Sequence, residues 1–345
     1  MFKNNLLLEY KNSIDLELKN ILEKQLNAAY KIDKNIGNIM LYLKDFNLRG
    51  GKRIRGILTI IGYTLFKPYN KEIVKAAVAV ELMESFFLIH DDITDNDELR
   101  RGSLTLHKQY ENLYAKQGIS FALVAGDLLC SLGNELIANL DFNQEQKIKI
   151  LQIYNQAITK TCYGQIYDIL LENKKIITES ELSKLHELKT THYTIEAPLK
   201  IGAVLANAKD KDLGLIEKIS IPLGKAFQLK DDVLGIFGTK SKLGKSPLSD
   251  MKQGKRTLLI LKALQKANNK QKKYLLWHLG NKQLTNKELS KIKDIIIKTG
   301  SLNYSLNIIG NLVDDAKTII KKSNFNQKSK KLLLDIANYI AMRSY

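Results

Sequence analysis

The 345-residue sequence contains only two cysteines, four prolines and one tryptophan. So few cysteines and prolines are not typical of a disulfide-rich or a fibrous protein. The two cysteines, Cys130 and Cys162, exclude a disulfide scaffold and a cysteine-rich zinc site, and they indicate a reducing, cytoplasmic compartment. The first residues, MFKNNLLLEYKN, lack the apolar run of a secretory signal. Apolar stretches such as Gly56–Phe66 are shorter than the ~20 residues that a membrane span needs, so no membrane insertion is expected.

Lysine and arginine outnumber aspartate and glutamate by 54 to 36, which gives a formal net charge of +18. This excess predicts an anionic partner, and composition leaves three classes open: nucleic acid, an acidic membrane surface, or phosphorylated small molecules. Hydrophobic residues make up 44% of the chain, which is sufficient for a large buried core.

Apolar residues recur at spacings of three and four along most of the chain, which predicts an all-α protein. Alternation with a period of two is scarce. Thr178 and Thr285 each precede a glutamate by three residues, which predicts two N-terminal capping boxes. Pro198 lies within a helical pattern and is expected to kink that helix. The predicted helices include Lys71–His90, Ile119–Leu140, Gln144–Leu171, Glu179–Asn207, Leu213–Leu234, Gly254–Lys266 and Asn303–Ile320.

The domain organisation predicted from these patterns is a single all-α domain over residues 1–345. Residues 1–34 are interpreted as an N-terminal helical extension. Residues 270–345 are polar and rich in lysine and asparagine, and they are interpreted as peripheral C-terminal helices around a central bundle. Much of the net charge lies in this last region.

Adjacent aspartates follow two of the apolar helical segments: Asp91 and Asp92 in one, Asp231 and Asp232 in the other. Asp95 lies four residues after Asp91 and therefore shares a helix face with it. Carboxylates at a helix C-terminus oppose the macrodipole at a cost of ~0.3–1 kcal/mol each, which a divalent cation would offset. Oxygen ligands with no neighbouring cysteine or histidine favour Mg²⁺, which is usually completed by substrate phosphates. A single such site would more often be a solvated acidic turn, but two matching sites favour metal binding.

Basic residues occur in groups near these aspartates. Lys52, Arg53 and Arg55 surround a Gly-Gly turn at a predicted helix start, an arrangement that suits a phosphate. Each cation alone is more often a solvated surface residue, but together they predict two anion sites beside the two carboxylate groups. The other cations in these groups are Arg100 and Arg101 after the first aspartates, Lys189 within a helix, and Lys245 and Lys255 after the second aspartates.

These motifs, in this order, resemble those of the trans-isoprenyl diphosphate synthases, the polyprenyl synthetases of the farnesyl and geranylgeranyl diphosphate synthase type. The resemblance extends from about Asn35 to the C-terminus. It rests on GGKRIRG, DDITD followed by RRG, GQIYD, KT, FQLKDD, GK and GKRT. It implies a bundle of long antiparallel helices around a deep central cavity, usually in a homodimer.

The resemblance also implies a Mg²⁺-dependent short-chain prenyltransferase that condenses isopentenyl diphosphate with dimethylallyl, geranyl or farnesyl diphosphate. No nucleic-acid partner is implied. The catalytic residues that it implies are Asp91, Asp95, Asp231, Lys189 and Arg100. The metal ligands, for three Mg²⁺ ions, are Asp91, Asp95 and Asp231 with support from Asp92 and Asp232. The allylic diphosphate is assigned to Arg100, Lys189, Thr190, Gln228, Lys245 and Lys255, and isopentenyl diphosphate to Lys52, Arg55, Arg101 and position 84.

Product length in such enzymes is set beneath the first aspartates. Phe87 lies one helical turn, ~5.4 Å, before Asp91, and Phe86 is adjacent to it. An aromatic pair here resembles the farnesyl (C15) type, whereas deeper growth gives the geranylgeranyl (C20) product; both rings also suit ordinary core packing. Two positions depart from the family pattern. Gly235 replaces a third aspartate, and Glu84 stands where His or Gln usually faces isopentenyl diphosphate, which a carboxylate would repel unless it is protonated or paired with a cation.

Four other functions remain open at this point. A longer-chain synthase would favour small residues in place of the two phenylalanines. A weakly active partner subunit is compatible with Glu84. A terpene cyclase would not need the GGKRIRG group. A basic helical RNA-binding protein would explain the charge, but it predicts aromatic residues interleaved with the cations and leaves the aspartates unexplained.

Overall fold

A computed structural model describes residues 4–172, 174, 177–239 and 247–342, and the predicted all-α fold is confirmed. Among these residues, strands are limited to β1 (Leu99–Arg100) and β2 (Ser103–Leu104), which pair as an antiparallel hairpin. The α-helices are, in chain order, α1 (Asn5–Ile32), α2 (Lys34–Leu48), α3 (Ile54–Thr64), α4 (Ile73–Thr94), α5 (Leu106–Tyr114), α6 (Gly118–Ala138), α7 (Gln144–Glu172), α8 (Glu179–His186), α9 (Ala197–Leu205), α10 (Asp210–Phe237), α11 (Ser249–Gln253), α12 (Leu258–Lys266), α13 (Asn269–His278), α14 (Asn286–Lys298), α15 (Ser301–Lys322) and α16 (Gln327–Met342).

The predicted helices agree with the observed ones to within a few residues at most ends, and both predicted capping boxes, at Thr178 and Thr285, are confirmed. The segment predicted as one kinked helix over Glu179–Asn207 instead consists of α8, a ten-residue π-helix (Glu187–Glu196) and α9. Pro198 lies at the second position of α9, directly after the π-helix. The distortion is therefore a widening of the helix before the proline.

The chain forms two compact units, and each unit is built from three separate stretches of the sequence. Unit 1 comprises Met1–Gln156, Ala197–Leu213 and Phe325–Leu333. Its α3 and α9 approach closely at two glycines: a Cβ at Gly202 would meet the carbonyl oxygen of Thr59, and one at Gly62 would meet that of Leu199. Glycine at these two positions therefore permits backbone contact between the helices.

Helix α4 forms the centre of unit 1 and carries the first aspartates at its end. Every residue from Ile73 to Met83 except Lys75 is buried, and α1, α3, α6 and α9 surround the helix. Such a helix, apolar on all sides, lies in the core rather than at the surface. The Tyr154 hydroxyl donates a hydrogen bond to the Ala79 carbonyl (3.2 Å), which fixes α7 against it.

Unit 2 comprises Ala157–Glu196, Gly214–Asn324 and Leu334–Tyr345. The π-helix packs directly on two other helices of the unit, because Gly164 of α7 faces the Lys189 backbone and Gly224 of α10 faces Thr191. Farther along the chain, α12 packs on α15, and the Ser301 hydroxyl donates to the Leu259 carbonyl (2.6 Å). The glycines thus place the π-helix where its side chains can reach α10.

One stretch of the described chain, Leu106–Ala138, is long and apolar enough to pass a length-and-hydropathy test for a membrane span. It consists of α5, a 3₁₀ turn and α6 rather than one continuous helix. Only 39% of its most apolar 18-residue window is buried. In a globular protein, an apolar segment of this kind is either a core helix or part of a surface that binds a partner.

Candidate active site

The first aspartate group lies at the C-terminal end of α4, as predicted. Asp91 and Asp92 are in its last turn, and Asp95 is the C-cap, with its amide donating to the Asp91 carbonyl (2.8 Å). Asp91 and Asp95 are partly exposed, whereas Asp92 is buried. The backbone then turns sharply at Asn96, whose φ is 50°. Two carboxylates on one face thus remain accessible at the end of a buried helix.

The buried Asp92 is held by Arg100 on the hairpin. Arg100 Nε donates to Asp92 Oδ1 (2.7 Å), and its Nη2 lies 3.4 Å from Asp97 Oδ2 and 3.9 Å from Asp91 Oδ2. Burial raises the pKa of Asp92 to about 7 even though Arg100 opposes the rise. Asp92 Oδ2 is buried and accepts no hydrogen bond from the residues that the structure describes. Arg100 therefore lies among the aspartates, with one carboxylate oxygen left for a ligand.

The Gly-Gly turn of the GGKRIRG motif lies immediately before α3, and the three cations of the motif follow it. Gly50 and Gly51 have φ values of 95° and 143°, and Arg53, the residue before the first turn of α3, has a φ of 51°. This left-handed run requires glycine at its first two positions. Lys52 is exposed, whereas Arg55 in the first turn of α3 is buried.

Arg53 is structural. Its guanidinium donates to Asp15 Oδ1 (2.7 Å) and to the Asn47 carbonyl (2.7 Å), and it lies 3.6 Å from Glu81 Oε2. Only 3% of the residue is exposed. Arg53 therefore joins α1, α2 and α4 beneath the turn.

Glu84, the position that departs from the family pattern, is paired with Arg55. Arg55 Nη1 lies 3.0 Å from Glu84 Oε1, and Glu84 Oε2 is buried without a hydrogen-bond partner in the described part of the chain. Burial raises the pKa of the Glu84 carboxyl, and Glu81 adds to the rise, whereas Arg55 and Arg101 lower it. Pairing with a cation, one of the two conditions under which a carboxylate was expected to be tolerable here, is therefore met.

Arg101 follows Arg100 but turns toward the Gly-Gly segment. A Cβ added to Gly51 would lie 3.4 Å from Arg101 Nη2, so the guanidinium rests on that glycine. Burial lowers the pKa of Arg101, and Arg53 lowers it further, although Glu84 opposes this. Arg101 Nη1 is a buried donor without a partner among the described residues. Within unit 1 the hairpin thus directs Arg100 to the aspartates and Arg101 to the Gly-Gly turn.

The second group lies in unit 2, and most of its predicted members contact one another. The Thr190 hydroxyl donates to Gln228 Oε1 (2.6 Å), and Gln228 Nε2 donates to Asp232 Oδ1 (2.9 Å). Lys189 pairs with Asp168 (2.6 Å). Asp231 is partly exposed. The π-helix therefore presents consecutive polar side chains to α7 and α10, and π-helical segments are frequent at functional sites.

One local prediction about this group is wrong. Helix α10 does not end at the aspartates but continues to Phe237, six residues beyond Asp231. The apolar pattern after the aspartates continues the helix, so the macrodipole argument for a bound cation holds for α4 and only weakly here.

Several contacts involve residues that the sequence patterns did not single out. His186 Nε2 lies 3.4 Å from Asp232 Oδ2. The Asp250 carboxylate occupies the space that a side chain at Gly235 would need, and it lies 3.9 Å from Lys255 Nζ. A carboxylate is therefore present beside the position where the family's third aspartate is missing. Lys245 lies outside the described residues.

The two phenylalanines before Asp91 have different surroundings. Phe86 is buried, and its ring meets His90 edge-on at 4.7 Å. Phe87 is half-buried, and its ring centroid lies 4.8 Å from that of Phe86. His90 in turn rests on Gly126 of α6, with Nε2 3.2 Å from the Leu123 carbonyl oxygen. Phe86 is thus part of the core, and Phe87 lies on the face that Asp91 shares.

The donor set fits a hard cation such as Mg²⁺. Asp91 and Asp95 supply accessible carboxylate oxygens, and Asp92 Oδ2 is a buried acceptor beside them. Among the described residues, no group of three or more His, Cys, Asp or Glu side chains is arranged to hold a metal ion by itself. Mg²⁺ is commonly held by one or two carboxylates and completed by water and phosphate, so an open group of this kind is appropriate.

Comparison with known proteins gives one consistent result. Residues 36–296 match the polyprenyl synthetase family model. The chain is 34% identical over 324 residues to a short chain isoprenyl diphosphate synthase of Methanocaldococcus jannaschii, covering 94% of each chain. It is 34% identical over 303 residues to a geranylgeranyl diphosphate synthase of Sulfolobus acidocaldarius, covering 86% of this chain and 89% of that one.

Solved structures agree on the fold. A geranylgeranyl pyrophosphate synthetase from Pyrococcus horikoshii superposes with a TM-score of 0.83 at 27% identity, covering 99% of both chains. A geranylgeranyl pyrophosphate synthase from Corynebacterium glutamicum, solved in complex with isoprenyl diphosphate and magnesium, gives a TM-score of 0.93 at 24% identity, covering 97% of this chain and 99% of that one. The architecture is shared over nearly the whole length.

Proposed function

This chain belongs to the polyprenyl synthetase family, and we propose that it condenses isopentenyl diphosphate with an allylic diphosphate to give farnesyl (C15) or geranylgeranyl (C20) diphosphate. The family and the short-chain trans-prenyltransferase class predicted from the sequence are confirmed by the matched family model and the curated relatives. The relatives differ in product, and they include geranylfarnesyl diphosphate synthases. Product length is therefore a separate question.

The main structural support for this proposal is that the side chains of Arg100 and Arg101 point to different groups. Two adjacent arginines on a tight hairpin serve different groups, Arg100 the aspartates and Arg101 the Gly-Gly turn with Arg55. A reaction between two diphosphates requires two neighbouring anion sites, of which only one needs a metal. The hairpin supports the proposal because, within unit 1, it brings one cation to the first aspartates and one to the Gly-Gly turn.

For the allylic diphosphate, Mg²⁺ would neutralise the leaving group's charge and polarise its oxygens. By the family resemblance, Asp91, Asp95 and Asp231 would be its main ligands with support from Asp92 and Asp232, and three ions per site are proposed. Arg100, Lys189 and Lys255 stabilise the same charge as it develops. Thr190, held by Gln228 (2.6 Å), orients the diphosphate with its amide partner, and Lys245 is assigned to the same group from its motif.

Isopentenyl diphosphate binds Lys52, Arg55 and Arg101. When the allylic C–O bond breaks, its electron pair leaves with diphosphate, and the isopentenyl π electrons form the new C–C bond. A proton is then lost from the condensed product to the departing diphosphate. No side-chain nucleophile is needed, because catalysis is fixed charge stabilisation of the leaving group.

The direct test is incubation of the purified chain with dimethylallyl and isopentenyl diphosphates and Mg²⁺, followed by product sizing. C15 or C20 product is expected, and its loss with EDTA would support the metal role. Product of C25 or longer would identify a longer-chain synthase, and product only after addition of a second synthase subunit would identify a partner subunit. Absence of product under every condition would overturn the proposal and leave a non-enzymatic role such as RNA binding.

Phe87→Ala is expected to lengthen the main product by at least one isoprene unit. Removal of the half-buried ring one turn before Asp91 would open space along the path of the growing chain. Radio-chromatography of the products measures the change. Phe66→Ala, which removes another half-buried ring of unit 1, should leave the product unchanged. An unaltered distribution in Phe87→Ala would remove Phe87 from the floor of the cavity.

Glu84→Gln is expected to lower the KM for isopentenyl diphosphate roughly tenfold. The glutamine keeps a hydrogen-bond acceptor for Arg55 but removes a negative charge beside the incoming diphosphate, a repulsion worth about 1–3 kcal/mol at an effective dielectric constant of 20. The pKa of Glu84 is raised by burial. As the pH rises through the raised pKa of Glu84, the carboxyl ionises, so the KM of the wild type for isopentenyl diphosphate should increase with pH.

The variant should lack this component of the pH profile, whereas the titration of the substrate itself affects both proteins equally. The exposed charge-matched change Glu98→Gln serves as the control and should behave like the wild type. If wild type and Glu84→Gln share one KM at every pH, the carboxylate does not face the second substrate.

A homodimer is proposed as the working form. Ile119, Leu123 and Val124 of α6 are 45%, 40% and 67% exposed, and an apolar face of this kind suits a second copy of the same chain. Light scattering should give twice the monomer mass, and Val124→Glu should shift it toward the monomer. Ile32→Glu, at an exposed site on α1, should leave the dimer intact. A cytoplasmic location and the absence of a nucleic-acid partner stay predictions.

A further inference from the structure

The one tryptophan of the chain is held on the surface. Trp277, in the last turn of α13, is 77% exposed, and its neighbour Leu276 is 54% exposed. Large apolar side chains exposed side by side usually mark a surface that meets another apolar phase. Nothing in the proposed prenyl transfer uses this pair.

The exposure of Trp277 is a fixed feature of the fold and does not come from a frayed helix end. Asn268 and Gln271 form a reciprocal capping box at the start of α13. Leu275 and His278 are buried on its inner face. At the other end, the amide of Gly280 donates to the Met251 carbonyl (2.8 Å). The helix is therefore anchored at both ends, with Trp277 directed away from unit 2.

Lysines share the exposed face with the tryptophan. Lys270 and Lys273 precede Trp277 by seven and four residues, spacings that place all three on one side of the helix, and both lysines are exposed. The surrounding segment, residues 266–298, carries nine lysines against two acidic residues, a net charge of 9 − 2 = +7. The apolar pair thus lies within a strongly basic region of the chain.

We propose that this face, Lys270, Lys273, Leu276 and Trp277, docks reversibly on a bilayer surface that contains anionic phospholipids. Indole side chains prefer the headgroup level of a membrane, where an apolar ring meets water. Lysines near such a surface each contribute ~1 kcal/mol through attraction to anionic lipid. Contact of this kind requires no spanning segment, so it is compatible with the absence of membrane insertion expected from the sequence.

The face suits a bilayer better than a nucleic acid. Nucleic-acid surfaces without sequence preference usually carry several aromatic rings on which successive bases stack, whereas here one ring is joined by an aliphatic side chain. The prenyl product would also be more apolar than its substrates and would partition into a membrane. That last point rests on the proposed function, whereas the composition of the face is independent of it.

Because Trp277 is the only tryptophan, its fluorescence reports on this face directly. The full-length protein is mixed with phosphatidylcholine vesicles that contain 25% phosphatidylglycerol, and with pure phosphatidylcholine vesicles. With the anionic vesicles, the emission should shift to shorter wavelength, brominated lipids should quench it, and the protein should co-sediment. With the neutral vesicles, or in 1 M NaCl, these signals should largely disappear.

Variants separate the face from the general charge of the protein. Lys270→Gln with Lys273→Gln is expected to reduce vesicle binding at least tenfold. Lys209→Gln with Lys211→Gln, which removes the same charge from two other exposed positions, should change it less than twofold. Trp277→Ser, followed by co-sedimentation, should also reduce binding. Circular dichroism confirms that each variant is folded.

Three results would overturn the proposal. Equal losses from both lysine pairs would mean that the whole protein binds by net charge. A shift produced by single-stranded RNA but not by vesicles would assign the face to nucleic acid. A shift that depends only on protein concentration would assign it to a second copy of the chain. None of these readouts requires catalytic activity, so failure here leaves the prenyltransferase proposal intact.

Discussion

Asp91→Asn is expected to lower kcat for prenyl transfer by about 10³-fold, equivalent to ~4 kcal/mol of transition-state stabilisation. Asp91 supplies an accessible carboxylate at the end of a buried helix, and its partner Asp95 lies on the same face. An amide of the same shape cannot neutralise a divalent cation. The leaving diphosphate would therefore lose part of the positive charge that stabilises it.

The variant should retain the wild-type fold, because asparagine is well tolerated near a helix C-terminus and removes a charge that opposes the macrodipole. Thermal unfolding followed by circular dichroism checks this point. Asp141→Asn, which removes the same charge from an exposed position between α6 and α7, should keep full activity. The Mg²⁺ concentration for half-maximal rate should rise in Asp91→Asn only. A loss of less than tenfold at saturating Mg²⁺ would remove Asp91 from the set of primary ligands.

Arg53→Leu is expected to lower the free energy of unfolding by about 3–5 kcal/mol, the usual effect of removing one partner from a buried ion pair. The guanidinium holds Asp15 (2.7 Å), the Asn47 carbonyl (2.7 Å) and the neighbourhood of Glu81 (3.6 Å). Leucine would remove the donor to the Asn47 carbonyl and one of the two cations that pair with Asp15, the other being Lys11. It would also remove the positive charge beside the buried Glu81, which among the described residues would keep only its hydrogen bond from the Gly56 amide. Urea unfolding measures the effect as a lower midpoint.

The matched control is Lys71→Met, because Lys71 is exposed in the same unit and surface changes usually stay within ±0.5 kcal/mol. The KM of Arg53→Leu for isopentenyl diphosphate, measured below the unfolding midpoint, should rise less than that of Arg55→Leu. An unchanged midpoint together with a raised KM would show that Arg53 contacts the substrate and is not a structural residue.

For the GGKRIRG motif, the sequence predicted the local backbone but not the contacts of each cation. Its glycines and cations predict a phosphate turn at a helix start, and the structure has the turn, the left-handed glycines and α3 directly after it. Residue type alone does not separate Arg53 from Lys52 and Arg55, since all three are cations within four positions. The assignment of isopentenyl diphosphate to Lys52 and Arg55 came from the family resemblance. The structural role of Arg53 arises because Asp15, 38 residues earlier, lies beneath the turn. Nothing local in the chain specifies that contact.

Glu84 and Gly235 are two further positions at which the sequence alone does not reveal the compensating contact. Each is visible in the sequence as a departure from a family pattern, but the compensation lies elsewhere in the chain. Arg55 pairs with Glu84 from another helix, and Asp250 places a carboxylate beside Gly235. His186 beside Asp232 was not predicted as a site residue either, because no ligand spacing marks it.

By itself the sequence determined the helical class, most helix bounds, the two capping boxes and the place of the first aspartates at the end of α4. These features depend on periodicity and hydrogen bonds within one or two turns, which the local sequence encodes. Only the tertiary structure decided that Arg53 is held in an ion-pair network, how Glu84 is paired and where a π-helix interrupts the predicted helix. It also decided which side chains have raised or lowered pKa values. Each of these depends on burial and on charges brought together across long stretches of chain, and packing alone sets both.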